Sequence, residues 1–280
     1  MAEKVKSIGF IGLGSMGGDQ ARELAKLGLP LTVFELFPKA MERFEGKAKL
    51  AKDIAEVGAN SECVGICVQD DKQVLACVEP LLPAMAPGSV LLIHSTVRPA
   101  TVIDIAARAA EKGITVMDAS VTRTEMTKDG PFVYCMLGGE EATLQRVQHV
   151  LDAFSTNTIY VGPLGSAMAL KICNNLVSWC EIMLGLEVVD IAEAAGVSLD
   201  KLVTVMNRNG VMSPPMQGFI NFRRDPGDQQ KRDFMKVQAG IGEKDLTLAE
   251  ELARSAGAPA RITSHVRGFV KNALIDVCES

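Results

Sequence analysis

The sequence is poor in the residues that build metal sites, and it has no pattern that builds a disulfide framework. Histidine occurs at His94, His149 and His265 only, too scattered to suggest a shared ion. The seven cysteines contain no CxxC pair, and an odd number cannot pair completely. Most sit in apolar stretches such as VGICV and VYCML, the setting of buried free thiols in a reducing compartment. Positive charge is also in deficit. With 29 Lys and Arg against 34 Asp and Glu, the net charge is −5, which argues against nucleic acid or another polyanion as partner. A small anionic ligand needs only a local basic site. The N-terminus MAEKVKSIGFIG lacks the h-region of a signal peptide. No stretch is expected to approach the length and continuity of a membrane span, so the reading is a cytoplasmic protein without a membrane partner.

What is present is a globular composition, 48% apolar and 22% charged, over 280 residues, enough for one large domain or two ordinary ones. The first half alternates short apolar, β-branched runs with helical patterns. Runs at 5–11, 31–35, 64–68, 89–94, 114–117, 132–137 and 158–161 read as strands. Segments 16–27, 38–50, 72–85, 100–112 and 140–153 read as helices between them. Such alternation implies a mostly parallel sheet covered by helices on both faces. After Gly165 the character changes. Residues 166–195 hold no proline and one glycine, with apolar residues at helical spacing, which predicts one long helix. The remainder looks helical, with loops near 209–218 and 223–230. The expected fold class is therefore α/β: a Rossmann dinucleotide-binding domain over 1–163 and an all-α domain over 164–280, joined by the long helix.

The stretch IGFIGLGSMGG carries Gly12-Leu13-Gly14-Ser15-Met16-Gly17. A lone GxGxxG is weak, but here it follows the first strand and opens the first helix, the context the motif needs. Glycines there permit a tight turn and close approach of backbone to a pyrophosphate, and the helix N-terminus supplies N–H groups and partial positive charge. The second strand ends in Glu35. A carboxylate about 20 residues past the glycines accepts from ribose hydroxyls and repels a 2′-phosphate, so NAD is preferred to NADP. A solvated Glu35 with Lys39 binding a phosphate is the alternative.

Lys171 and Asn175 in GPLGSAMALKICNN are four apart and share one helix face. A lysine in an apolar helix is either salt-bridged or snorkelling, or it moves protons, for which desolvation lowers its pKa.

With these segments together, the chain resembles the β-hydroxyacid dehydrogenase family, which includes 3-hydroxyisobutyrate dehydrogenase. GFIGLGSMG matches the family's cofactor motif. DASVTRT sits at its substrate motif, commonly Asp-Ala-Pro-Val-Ser-Gly-Gly. GPLGSAMALKICNN matches GxxGxGxxxKxxxN, with Ala167 in place of the third glycine, and EKDLTLAEELA matches a late KDL motif. The resemblance covers nearly the whole chain. It implies an active site in the cleft between the two domains and Lys171 as the general acid/base. It places Asn175 on the substrate, Ser95 and Thr96 at the nicotinamide end, Val68 and Gln69 on the adenosine or ribose side, and Lys244 on the cofactor. By itself, Lys244 reads equally well as an exposed helix-start lysine beside Asp245. Dimers or tetramers are expected from the relatives.

Ser120, Thr122, Arg123 and Thr124 are the candidate substrate contacts of DASVTRT. Two of them, Arg123 and Thr124, replace the family's glycine pair. The change removes backbone freedom and adds a guanidinium suited to a carboxylate, sulfonate or phosphate. The expectation is that Arg123 holds the anionic group of a small substrate. An Arg-Thr pair here resembles the sulfolactaldehyde reductase branch, although Thr122 and the following EMTKDG depart from it. The alternative is that Arg123 turns outward or pairs with Glu125 or Asp118. Imine reductases and non-catalytic dinucleotide-binding relatives are rivals that Lys171 argues against, and a 6-phosphogluconate dehydrogenase needs a longer C-terminal domain.

Overall fold

β-branched and apolar runs in the first half form the strands of one sheet. The structure is a computed structural model that describes residues 3–124 and 130–279. The strands are β1 (Ile8–Ile11), β2 (Leu31–Phe34), β3 (Lys49–Leu50), β4 (Cys63–Ile66), β5 (Val90–Ile93), β6 (Thr115–Arg123), β7 (Val133–Gly138) and β8 (Ser155–Gly162). Between them run α1 (Ser15–Leu24), α2 (Pro38–Glu42), α3 (Ile54–Ala59), α4 (Asp71–Leu81), α5 (Pro99–Ala110) and α6 (Glu141–Leu151). The sheet order is β3-β2-β1-β4-β5-β6-β7-β8. Neighbours are parallel except β6 and β7, which pair antiparallel from Asp118↔Gly138 to Arg123↔Val133. The chain leaves β1 for the β3 edge and returns to β4 on the other side of β1. That reversal is the switch point at which open α/β sheets bind ligands.

Two cores cover the two faces of the sheet. One joins Phe10, Met117, Ala119 and Val121 to Ala21 and Leu24 of α1 and Val147 and Leu151 of α6. The other joins Ile66, Ile93 and Val116 to Val74 and Val78 of α4 and to Val102 and Ile105 of α5. The expected α/β class with a mostly parallel sheet is what the chain forms.

Several local expectations differ. The segment 38–50 is not one helix: α2 ends at Glu42, and Lys49–Leu50 pairs with β2 as a short edge strand. β6 runs on past residue 117 to Arg123, because the polar DASVTR stretch pairs with β7. The 209–218 segment is only partly a loop. Ser213 caps a helix there, accepting from the Met216 N–H, with proline in the first turn where a missing N–H costs nothing.

By contacts the chain divides into Met1–Lys171 and Ile172–Ser280, and the division falls inside α7 (Ser166–Ala194). The second unit adds α8 (Leu199–Arg208), α9 (Pro214–Arg224), α10 (Gln229–Ser255), α11 (Thr263–Arg267) and α12 (Val270–Glu279). Its core gathers Trp179, Met183, Phe219, Leu246, Val270 and Leu274. Among the described residues, α7 alone is long and apolar enough to cross a membrane by length and composition, with a window of mean hydropathy 1.3. This corrects the expectation that no stretch approaches a span. Lys171, Glu181, Glu187 and Asp190 break up its apolar run, so the continuity of a span is not evident in the sequence of this expected helix.

Candidate active site

The glycine turn lies where β1 and β4 end. Gly12 has φ +92, and a Cβ there would collide with the Cys67 carbonyl and lie 3.0 Å from Val68 Cγ1. Gly17 is equally closed, against the Gly12 carbonyl, whereas a Cβ on Gly14 would meet nothing within 4 Å. The first and third glycines therefore let the turn pack, and the second keeps its outer side open. Gly14 precedes α1, and no side chain caps that end, so the helix terminus offers its N–H groups to an anion.

The neighbouring residues of the motif have distinct places. Ser15 is exposed and Met16 half-buried, while the Leu13 side chain is in the core. Leu13 N–H donates to Glu35 Oε2 at 2.9 Å, and its carbonyl accepts from Arg43 Nη2 at 2.5 Å. The Leu13 bond brings the Glu35 carboxylate to the glycine turn, and its Oε1 accepts from the adjacent Leu36 N–H at 2.7 Å. It borders a cavity of about 470 Å³ with Phe34, Leu36 and Pro38. Arg43 was not anticipated: α2 carries it back to the turn 30 residues away in sequence.

Val68 abuts Gly12, and Gln69 N–H donates to Gln73 Oε1 at 3.0 Å. The Ser95 hydroxyl is buried and accepts from Val68 N–H at 2.7 Å, clipping the end of β4 to the end of β5. Thr96, next to it, is half-buried. Before them, His94 lies between Phe10 and Phe154 and donates from Nδ1 to the Ala119 carbonyl at 2.7 Å. Burial lowers its pKa to about 4, so the ring is neutral at pH 7.

Side chains alternate along β6, and this sorts DASVTRT. Met117, Ala119 and Val121 join the core on the α1 side. Asp118 and Ser120 point to the other face, where α7 begins. Asp118 is fully buried and accepts from the N–H groups of Gly165 at 3.0 Å and Met168 at 2.9 Å. It thus caps the first turn of α7 from a strand 47 residues earlier. Burial raises its pKa, and the N–H donors pull it back. Gly138 leaves room for it, since a Cβ there would strike Oδ1. Ser120 donates to Met168 Sδ at 3.1 Å. Thr122 follows at the next residue of the same parity, half-buried.

Arg123 has the opposite parity. Its Nη2 meets Asp19 Oδ2 of α1 at 2.8 Å, and its guanidinium lies 4.7 Å over the Phe132 ring. Asp118 is not its partner, and Glu125 lies outside the described residues. Strand alternation thus sets the Arg123 side chain on the sheet face opposite Ser120 and Thr122, toward α1. Thr124 bonds the Phe132 carbonyl through its N–H at 3.0 Å, and its hydroxyl sits 3.4 Å from Thr156 Oγ1.

Lys171 is 8% exposed, three residues after Met168 on α7. In the helical unit, Asn175 Nδ2 donates to Asp245 Oδ2 at 2.7 Å, and Lys244 Nζ pairs with Asp245 Oδ1 at 3.0 Å.

Two family models describe nearly all of this chain. Residues 7–162 match the NAD binding domain of 6-phosphogluconate dehydrogenase, and residues 165–277 match the NAD-binding model of NADP-dependent 3-hydroxyisobutyrate dehydrogenase. The chain belongs to the β-hydroxyacid dehydrogenase family. As a member it is an NAD(P)-dependent oxidoreductase acting on CH–OH groups. A probable 3-hydroxyisobutyrate dehydrogenase of Dictyostelium discoideum is 29% identical over 264 residues, 91% of this chain and 81% of that protein. An NAD-dependent L-serine dehydrogenase of Pseudomonas aeruginosa is 28% identical, over 91% of this chain and 87% of that one. The fold of this dehydrogenase also matches a solved Mycobacterium tuberculosis 3-hydroxyisobutyrate dehydrogenase described with L-serine, with a TM-score of 0.80, 23% identity and 98% of both chains covered.

Proposed function

We propose that this dehydrogenase uses NAD to oxidise, reversibly, the hydroxyl-bearing carbon of a small anionic 3-hydroxy acid, with Lys171 as the general acid/base. The observation that carries the reading is a nearly buried lysine on a helix whose first turn is capped by Asp118 beside Ser120. Gly12, Gly14, Gly17 and the α1 terminus would hold the pyrophosphate, Glu35 the adenosine ribose, and Val68, Gln69, Ser95, Thr96 and Lys244 the rest of the cofactor. Bound NAD supplies the hydride acceptor.

Lys171 Nζ accepts the hydroxyl proton in oxidation and returns it in reduction, where its charge also steadies the developing alkoxide. Asn175, one helical turn further, and Ser120 and Thr122 hydrogen-bond the substrate. Arg123 is engaged by Asp19 and lends no support to a sulfonate substrate. The preference for NAD over NADP rests on Glu35, whose charge repels a 2′-phosphate.

The test is to mix the purified protein with NAD and, one at a time, 3-hydroxy acids, 3-hydroxy sulfonates and neutral alcohols, following NADH absorbance. 3-Hydroxyisobutyrate and L-serine, named for the relatives, lead the panel. Turnover confined to the 3-hydroxy acids is the expected result. No turnover with NAD or NADP would replace this reading with an imine reductase or a non-catalytic binder.

A further inference from the structure

The protein has one tryptophan, Trp179, and it is 8% exposed in the helical unit. Its Nε1–H donates to Asp245 Oδ2 at 3.2 Å, the same oxygen that receives Asn175 Nδ2 at 2.7 Å. Asp245 is 2% exposed, and its Oδ1 pairs with Lys244. The indole is seated by Gly242 of α10: a Cβ there would lie 3.1 Å from the indole ring. A side chain there would require the indole to give by a few tenths of an ångström.

A carboxylate can only accept, so Asn175 must turn its nitrogen toward Asp245. That fixes which end of the carboxamide faces elsewhere. A carboxylate oxygen held by two donors is itself pinned, and a pinned acceptor orients the amide that leans on it. A tryptophan is not needed merely to fill space here. A phenylalanine would fill most of the same volume without an N–H. The indole N–H instead satisfies a buried carboxylate that would otherwise rely on Asn175 and Lys244 alone.

We propose that Trp179 is a positioning residue: through Asp245 it holds the carboxamide of Asn175 in the orientation that binds substrate. The inference rests on the assignment of Asn175 to the substrate made above. The device is Gly242 seating Trp179, Trp179 pinning Asp245, and Asp245 orienting Asn175, all within one unit.

Two measurements test it. The first needs no substrate. A single tryptophan gives a single indole N–H cross-peak in a ¹⁵N spectrum of the whole protein, and that peak should move in both Asn175→Ala and Asp245→Asn. A peak unmoved in both variants overturns the proposal. The second is kinetic. Trp179→Phe keeps the ring and loses the N–H, and should raise KM for the hydroxy acid about tenfold with kcat and NADH affinity near wild type. Placed in an Asn175→Ala background, it should add nothing further, because the residue it serves is gone. An unchanged KM, or an effect that adds fully to that of Asn175→Ala, overturns the positioning role. If the wild-type protein turns over no hydroxy acid, the function proposed above falls and the substrate role of this device falls with it. The indole peak then still decides whether Trp179 holds Asn175.

Discussion

Arg123 is bound to Asp19 across 2.8 Å, and the pair ties the strand carrying Ser120 and Thr122 to the helix that opens at the glycine turn. Gly130 N–H makes a second tie, donating to Glu23 Oε2 of the same helix at 3.2 Å. Asp19 also pairs with Arg22 at 2.6 Å, so one carboxylate serves two guanidinium groups. Both partners of the Arg123–Asp19 pair are about three-quarters buried, and Phe132 covers the cation. Such a pair outweighs a surface ion pair.

Arg123→Gly should therefore destabilise the protein by about 1–2 kcal/mol, from the lost ion pair and ring contact together. Urea unfolding reads this directly. Asp19→Asn should cost a similar amount, and the double variant less than the sum. KM for an anionic substrate should change no more than KM for a neutral alcohol. A strong rise confined to anions would return Arg123 to the substrate.

Asp118 bears a different load. It is a fully buried carboxylate held by the N–H groups of Gly165 and Met168 at the positive end of α7. Asp118→Asn keeps the shape but turns an NH₂ toward N–H donors. It should cost about 2 kcal/mol in stability. Because Lys171 stands on the next turn, kcat should also fall, while NADH affinity, set at the far end of the sheet's switch point, should hold. Unaltered unfolding in urea would remove Asp118 from this role. Gly138→Ala crowds the same carboxylate without removing it and should reproduce the defect.

How much of this was legible beforehand depends on distance along the chain. The glycine turn and Glu35 were readable because motif and strand order fall within about 25 residues of one another. Lys171 stood out as a lysine in an apolar helix. The Arg123–Asp19 pair was hidden for a definite reason: the direction of Arg123 depends on β6 continuing past Asp118, and the polar residues there concealed a strand held by pairing with β7. The bond from the Val68 N–H to the Ser95 hydroxyl, which joins two strand ends, was not legible because it spans 27 residues. Asp118 and Trp179 were visible as residues but not as partners, because their contacts lie 47 and 66 residues away. An acidic residue directly after the apolar run ITVM was the available signal for Asp118.

His94 gives the protein a pH-dependent stability. Its pKa falls from 6.5 to about 4 on folding, because burial between Phe10 and Phe154 disfavours the charged ring. The unfolded chain therefore binds the proton first. The stabilisation is fully present above pH 6.5 and is lost as pH falls toward 4. Between pH 7 and pH 5 this amounts to about 2 kcal/mol. His94→Gln keeps a donor for the Ala119 carbonyl but does not titrate. Urea unfolding at the two pH values should lose about 2 kcal/mol more in the wild type than in this variant. Equal losses would mean that His94 does not control the acid limb.

Lys171 is the sharpest test of the chemistry. Lys171→Ala removes the only group assigned to move the hydroxyl proton, so kcat should fall by about 10²–10⁴-fold. NADH binding should persist, because the glycine turn, Glu35 and the α1 terminus stay intact in the sheet domain. NADH fluorescence titration and turnover with the best hydroxy acid separate the two effects. Lys171→Arg keeps the charge but cannot give up a proton near neutral pH, so it should stay as inactive as alanine. If arginine instead restored most of the rate, the positive charge on the alkoxide, and not proton transfer, would be what Lys171 supplies. Retained turnover in both variants would sink the assignment altogether.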